Sequence, residues 1–331
     1  MLKYIWKRIL IMIPTIFVIS LACFFIIQLP PGDFISSYIT TMQSEGETIT
    51  QEVVAQLRAE YGMDKPWFVQ YILWMKGIIL HGNWGYSFEY QRPVIDIVNE
   101  RMVLTVVISL ITMLFTYLVS IPIGIYSALK QYSAGDYIFT AFGFLGMATP
   151  NFLLAIILMY LSFIWTGDPL IGLFSDEMLQ NGFSLAYTGE FLKHMIIPVI
   201  VIGTAGTCSV IRTVRAQMLD EMVKQYTLTA RAKGVAENRI TYKYCVRAAL
   251  NPVVSGLATS LSRIFTGSTI SAIVMNLPIQ GPVLYTALKS QDMYLAGSIL
   301  FIMAFLVCVG TLLSDIVLAW LDPRIRFSER S

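Results

Sequence analysis

Charge is what this chain has least of. Only 13% of its 331 residues are Asp, Glu, Lys or Arg, about half the share found in a soluble domain. Hydrophobic residues reach 56%, so the composition defines an integral membrane protein. Histidine is nearly missing: His81 and His194 are the two present, which argues against a histidine-rich metal site. The four cysteines, Cys23, Cys208, Cys245 and Cys308, lie far apart and make no C-x-x-C pair, which argues against a disulfide or zinc framework. No G-x-x-x-x-G-K-[ST] run occurs, so the chain has no phosphate-cradling loop of its own. No arrangement of nucleophile, base and orienting group stands out. Catalytic, cofactor-binding and metal-ligating residues are therefore not expected, and any driven process must draw its energy from a partner.

What is there is a set of long apolar runs. A helix needs about 20 apolar residues to cross a bilayer. Six runs qualify: Ile9–Leu29, Met102–Leu129, Tyr137–Trp165, Met195–Ile211, Ala248–Asn276 and Tyr294–Trp320. They predict an all-α membrane protein with six transmembrane helices. The first run is too long for a signal-peptide core, no small-residue cleavage site follows it, and it reads as a retained anchor. Residues 1–30 are thus expected to form an N-terminal membrane helix and 31–101 an extracytoplasmic region. Residues 102–320 are expected to form a five-helix core and 321–331 a tail.

The scarce charges are sorted by side. Lys3, Lys7 and Arg8 precede the first run. Arg212, Arg215, Lys224, Arg231, Lys233, Arg239, Lys243 and Arg247 lie between the fourth and fifth. Arg324, Arg326 and Arg330 follow the sixth. The opposite loops lean acidic, with Asp33, Glu45, Glu47, Glu52, Glu60 and Asp64 after the first run and Asp168, Asp176, Glu177 and Glu190 after the third. The positive-inside rule then puts both termini, and the loop between runs four and five, in the cytoplasm. In the extracytoplasmic region, "TQEVVAQLRAEYG" has helical spacing and "HGNWGYSF" reads as a turn-rich loop.

Several runs carry interior Pro and Gly: Pro122, Gly124, Gly146, Pro150, Pro198, Gly203 and Gly206. Such residues suit helices that move, and equally suit ordinary close packing in membranes. The fifth run has Ser255, Thr259, Ser262, Thr266 and Thr269 at spacings of four, three, four and three, which places them on one helix face. Arg263 sits beside that stripe, and a charge at such depth calls for a water-filled cavity or a partner. Two readings stay open: the stripe lines a transport path, or it packs on a neighbour with Arg263 paired to Asp315 or to backbone carbonyls. Mid-span Asp, Glu and His are lacking apart from Asp315, which disfavours a proton-coupled secondary transporter. The polar stripe disfavours a non-transporting scaffold.

The cytoplasmic loop contains "YTLTARAKGVAENRI", residues 226–240. Tyr226 to Lys233 favours a short helix, with Ala230 and Ala232 good formers. Gly234 suits a left-handed cap at its end. Ala230 and Gly234, four apart, predict a smooth small-residue face, and Arg231 and Lys233 are free to meet acidic groups on a partner. Propensity alone leaves a docking plug and a plain charged loop equally open.

At this point the residues resemble a family. "TARAKG", then Ile240, Arg247, Ala249 and "LNPV", is similar to the cytoplasmic signature of ABC-importer permeases of the dipeptide/oligopeptide/nickel branch. "QLPPGDF", "YGMDKPWFVQY", "GNWGYSF" with "RPV", "SAGDY", "ATPNFLLA", "LPIQGPVL" with "SQDMY", and "DPRIR" fall in family order, so the likeness runs almost end to end. The resemblance implies a type I importer permease fold and makes residues 102–320 its core. It implies that Tyr226, Thr229, Ala230, Arg231, Ala232, Lys233, Gly234 and Arg239 form the coupling helix region that docks on an ATPase. It implies partners: a second homologous permease, two ATPase subunits that bind ATP and magnesium, and an extracytoplasmic substrate-binding protein, with no nucleic acid. Pro278, Gln280 and Gly281 are expected in an outer gate loop, and Ser255, Thr259, Ser262, Arg263, Thr266 and Thr269 along the path. The chain departs from the family at Lys243–Tyr244, where an Arg-His pair is common, and at Ala272, where a glutamate is usual. Peptides and oligosaccharides both remain open as cargo, with nickel behind them.

Overall fold

A computed structural model describes residues 2–28, 65–87, 89–174, 188–257, 259–260 and 269–321. These are almost wholly helical. In chain order they form α1 (Leu2–Ile27), α2 (Trp67–His81), a two-stranded hairpin β1 (Tyr86–Ser87) and β2 (Arg92–Pro93), α3 (Val94–Leu129), α4 (Ala134–Ala148), α5 (Asn151–Thr166) and α6 (Thr188–Met222). Then follow α7 (Gln225–Ala232), α8 (Glu237–Arg239), a π-helical turn (Ile240–Cys245), α9 (Val246–Ala249), α10 (Asn251–Ser255), α11 (Thr269–Val274), α12 (Gln280–Lys289) and α13 (Met293–Leu321).

Four of these are long and apolar enough to cross a membrane: Ile5–Ile26, Val94–Leu129, Thr188–Met222 and Met293–Ala319. The third expected span, Tyr137–Trp165, is not one straight helix. It breaks at Thr149–Pro150 into α4 and α5, bent by 107°. The physical reason is Pro150, which has no N–H to continue the α4 ladder and instead stands as the N-cap of α5. Counted as one span, the pair brings the number to five among the described residues. The fifth expected run, Ala248–Asn276, is described at its two ends, α9–α10 and α11; Ala258 and residues 261–268 lie outside the described residues, as does the "TQEVVAQLRAEYG" segment. Pro122 and Pro198 sit inside α3 and α6, and both helices continue through them.

The chain divides into two compact units. One comprises residues 10–104 and 279–306. Its centre is aromatic: Phe24, Tyr71 and Trp74 are buried together, with the Phe24 and Tyr71 rings edge-on at 5.5 Å and Phe301 against Trp74 at 6.1 Å. The Ser20 and Tyr71 hydroxyls share a 2.8 Å hydrogen bond, which satisfies both buried groups. "GNWGYS", expected as a turn-rich loop, has Gly82 and Gly85 at positive φ and leads into β1 of the hairpin. A Cβ on Gly85 would lie 2.8 Å from the Tyr294 ring. The hairpin is anchored by Asp292, which is fully buried. Asp292 accepts from the Ser87 hydroxyl at 2.7 Å and from the Leu295 N–H at 3.1 Å, so it caps the start of α13 and holds β1 at once.

The other unit comprises residues 1–9, 105–278 and 307–331. Helix α6 is its axis, and α3 and α4 approach it closely through small residues. A Cβ on Gly124 would meet Val214 Cβ at 2.7 Å, one on Gly146 would meet Thr204 at 2.6 Å, and one on Gly203 would meet Phe115 at 2.9 Å. These glycines serve close packing. Helix α3 carries its own hydroxyl stripe, Thr105, Ser109, Thr112, Thr116, Ser120 and Ser127, all buried. Asp315 accepts from Arg8 Nη1 at 3.1 Å.

Candidate functional site

The segment 225–255 is built from the end of α6 outward. Helix α7 follows α6 after a two-residue link, Val223–Lys224, and is eight residues long. It ends as its sequence predicts: Gly234 has φ of 73°, the Gly234 N–H donates to the Arg231 carbonyl at 2.9 Å, and the Val235 N–H donates to the Ala230 carbonyl at 3.1 Å. This is a Schellman turn, which satisfies the last carbonyls of the helix. A side chain at 234 would meet no atoms within 4 Å, so glycine is required there by backbone conformation rather than by space.

The face of α7 is not the one expected. Ala230 does not share an outward small-residue face with Gly234. It is half-buried, and with Val235 it packs on a core cluster of Ala128, Val214, Met218, Ile240, Cys245, Ala249 and Val253. Thr227, one turn earlier, is fully buried. The exposed face consists of Tyr226, Leu228, Thr229, Arg231, Ala232, Lys233 and Gly234, with Arg239 exposed beyond the turn. The cause is the 3.6-residue period: positions 227 and 230 share the inner side, and Val235 folds back beneath them. Arg231, expected to reach a partner, turns back on its own chain. Its Nε and Nη2 donate to the Glu237 carboxylate, at 3.1 and 2.6 Å to Oε1. That pairing holds the Glu237 carboxyl below its ordinary value, through the hydrogen bond from Arg231 first and its charge second.

After α8 the chain winds one π-helical turn, Ile240–Cys245. Ile240, Thr241 and Cys245 point into the core, while Tyr242, Lys243 and Tyr244 are exposed. The extra residue per turn lets two aromatic rings and one lysine face outward in succession. Sequence reading missed this feature, since nothing in "ITYKYC" marks a π-turn.

Within the same unit lies a cavity of about 380 Å³. Its polar lining is neutral: Thr116 and Tyr117 from α3, Asn151 from α5, Ser209 and Thr213 from α6, and Thr259 and Ser260. Apolar groups complete it, among them Met113, Ile202, Val210, Pro252 and Val253. Tyr117 donates its hydroxyl to Ser260 Oγ at 3.0 Å across the lining. Of the residues expected along a path, Thr259 lines this cavity. Ser255 is exposed and bonds the Asn251 carbonyl at 3.0 Å, and Thr269 opens α11, half-buried. Ser262, Arg263 and Thr266 lie outside the described residues. Thr116, Asn151, Ser209 and Thr213 were not singled out from sequence. The signal for them was faint, because hydroxyls at helical spacing also mark the packed face of α3.

The expected outer gate residues are placed apart in kind. Pro278 ends the first part of its loop, half-buried, after Asn276 at φ of 51°. Gln280 and Gly281 are not in a loop: they open α12 and are buried. Gln280 donates Nε2 to the Val98 carbonyl at 2.8 Å, tying α12 to the first turns of α3.

A multi-pass helical chain with a neutral cavity and a capped polar segment between membrane helices has the form of a membrane transport subunit. Residues 120–327 match the family of the binding-protein-dependent transport system inner membrane component, and residues 1–110 match the N-terminal part of that membrane component. The chain belongs to this family. It is 32% identical over 329 residues to the oligopeptide transport system permease protein AppB of Bacillus subtilis, covering 99% of this chain and 100% of that protein. It is 31% identical over 343 residues to the dipeptide transport system permease protein DppB of Escherichia coli, covering 98% and 99%. With the oligopeptide transport system permease protein OppB of Haemophilus influenzae the identity is 29% over 328 residues, covering 99% and 100%.

Proposed function

We propose that this protein is the transmembrane permease subunit of an ATP-driven importer that takes up di- or oligopeptides. The observation that carries the reading is the end-to-end similarity to proteins named as oligopeptide and dipeptide permeases. Those names favour peptides over oligosaccharides and nickel, and family membership disfavours an ion-coupled secondary transporter. The chain carries no chemistry and no cofactor of its own. ATP and magnesium are handled by two partner ATPase subunits, and a second homologous permease completes the pathway. An extracytoplasmic binding protein delivers the cargo.

In this reading the chain crosses the cell membrane six times with both termini in the cytoplasm, as its basic loops suggest. Residues 1–30 anchor it, 31–101 face outward, 102–320 form the transport core and 321–331 a cytoplasmic tail. The exposed face of α7, with Tyr226, Thr229, Arg231, Ala232, Lys233 and Gly234, docks on the ATPase, with Arg239 at its edge and Ala230 supporting it from within. A short capped helix with one side packed on its own subunit suits a groove on a partner. When ATP closes the ATPase pair, α7 moves with it and the pathway opens outward; hydrolysis resets it. The neutral cavity beside Thr259, Asn151 and Thr213 belongs to that pathway, together with Ser255, Ser262, Arg263, Thr266 and Thr269. Pro278, Gln280 and Gly281 are the gate residues of this reading. A neutral hydroxyl lining can exchange hydrogen bonds with peptide amides without binding any one side chain tightly.

The test is uptake by the assembled transporter in proteoliposomes. Labelled peptide should accumulate only with ATP and the binding protein present, and an oligosaccharide of similar mass should not. Accumulation driven by an ion gradient without ATP contradicts the proposal.

A further inference from the structure

We propose that Glu221 is the positioning residue that fixes the docking helix α7 on the end of the membrane helix α6. The inference rests on α7 as the docking element and adds the group that sets its direction. Glu221 occupies the last turn of α6 and is 6% exposed. A carboxylate buried to that extent is costly unless its charge and lone pairs are met. Here they are met from one direction. Lys224 donates Nζ to Oε1 at 2.7 Å, and the Tyr226 hydroxyl donates to Oε2. The Glu221 carbonyl accepts the Thr227 hydroxyl at 2.7 Å. Lys224 is the N-cap of α7, and Tyr226 and Thr227 are in its first turn. Each of these bonds therefore joins the last turn of one helix to the start of the next.

An eight-residue helix cannot hold a direction in water by itself. The N-cap side chain of α7 makes no capping bond to its backbone, so the usual local device is replaced by Glu221. The far end is held separately, by the Gly234 turn and by Arg231 Nη1 donating to the Met222 carbonyl at 3.4 Å. Movement of α7 reaches the 35 residues of α6 through the short link at Val223–Lys224. An unbraced link would bend and absorb that movement, whereas one braced by a buried carboxylate transmits it. Burial and the Glu221 carboxylate both push the Tyr226 phenol well above its ordinary value, so it remains a donor to Glu221 throughout the neutral range.

The experiment uses the whole transporter, both permeases, both ATPase subunits and the binding protein, in proteoliposomes with a labelled peptide. The readouts are ATP consumed per peptide moved, the rise in ATP hydrolysis on adding loaded binding protein, and the melting temperature. Glu221→Ala is expected to assemble and to lose about tenfold of that rise, the effect of one charged hydrogen bond on an equilibrium, with more ATP spent per peptide. Tyr226→Phe, which removes one hydroxyl and keeps the packing, should move the ratio the same way by less. Glu221→Gln, whose amide oxygen still accepts from Tyr226, should restore part of the coupling. Unchanged ATP per peptide in assembled Glu221→Ala and Tyr226→Phe complexes overturns the proposal. So does a lowered melting temperature with an unchanged ratio, which would make Glu221 a stabilising group only. If Glu221→Ala fails to assemble, Tyr226→Phe decides. Ala232→Cys, in a background with the four native cysteines replaced, separates this failure from that of the docking reading. No cross-link from position 232 to an ATPase subunit removes the docking reading itself. A cross-link together with normal ratios in the Glu221 and Tyr226 variants removes only the positioning role.

Discussion

Arg215 grips Asp136 with a fork of two hydrogen bonds, Nε to Oδ1 at 3.0 Å and Nη2 to Oδ2 at 2.9 Å. The geometry is bidentate, the strongest form of a carboxylate–guanidinium pair. Asp136 is also part of the start of α4. Its N–H donates to Ser133 Oγ at 3.3 Å, and its Oδ2 accepts the Tyr132 N–H at 3.0 Å. One carboxylate thus starts α4 and fixes that start to α6. "SAGDY" carries the capping half of this arrangement in its spacing; the pairing with a residue 79 positions away is made by the fold.

Removing the arginine is expected to cost more than removing the acid. Arg215→Ala leaves a carboxylate that is 4% exposed without its counter-charge, a loss of about 3–5 kcal/mol. Asp136→Asn removes the buried charge together with the pair and should cost less. Thermal unfolding of the purified permease ranks the two, and equal melting temperatures would contradict the argument.

Gly234 is required by its φ of 73° and not by crowding. Gly234→Ala should therefore destabilise the end of α7 by about 1–2 kcal/mol, the cost of a left-handed backbone for an L-residue. Gly234→Asn should cost less, because Asn tolerates that conformation better. Hydrogen exchange of the 230–235 amides measures the loss; equal protection in the Ala and Asn variants would show that the backbone conformation is not what selects glycine.

The Arg231–Glu237 pair sets a pH window. Glu237 titrates below its ordinary value of 4.5 in the folded protein. A depressed carboxylate contributes stability that is present above the unfolded value and lost as pH falls through the folded one. The difference in melting temperature between the native protein and Glu237→Gln should stay constant from about pH 8 to about pH 6 and fade below about pH 4. A difference that changes near neutral pH would mean that another group governs this turn.

Much of this protein is determined by local pattern, and local pattern is legible. Apolar length located four helices long enough to span a membrane and one bent pair among the described residues, because a bilayer demands a fixed run of non-polar residues whatever the fold. Gly234 marked the end of α7, because only a residue without Cβ takes that backbone readily. The signature "TARAKG", with the other motifs in order, pointed to the family that the comparisons then established. What the sequence could not decide is which side of each element meets a neighbour. Ala230 and Gly234 look like one smooth face until the cluster around Met218 and Ile240 claims Ala230. The hydroxyls of α3 look alike in sequence, yet Thr116 borders the cavity with Thr259 while Thr105, Ser109, Thr112, Ser120 and Ser127 are buried away from it. The run Tyr137–Trp165 reads as one span, and only the structure turns it by 107° at Pro150. Nothing in the sequence marks Glu221, and the fold buried it in the last turn of α6. Period and composition fix a helix and its two faces; the choice of inner face, and the partner for a buried charge, depend on residues tens of positions away that only tertiary packing brings into reach.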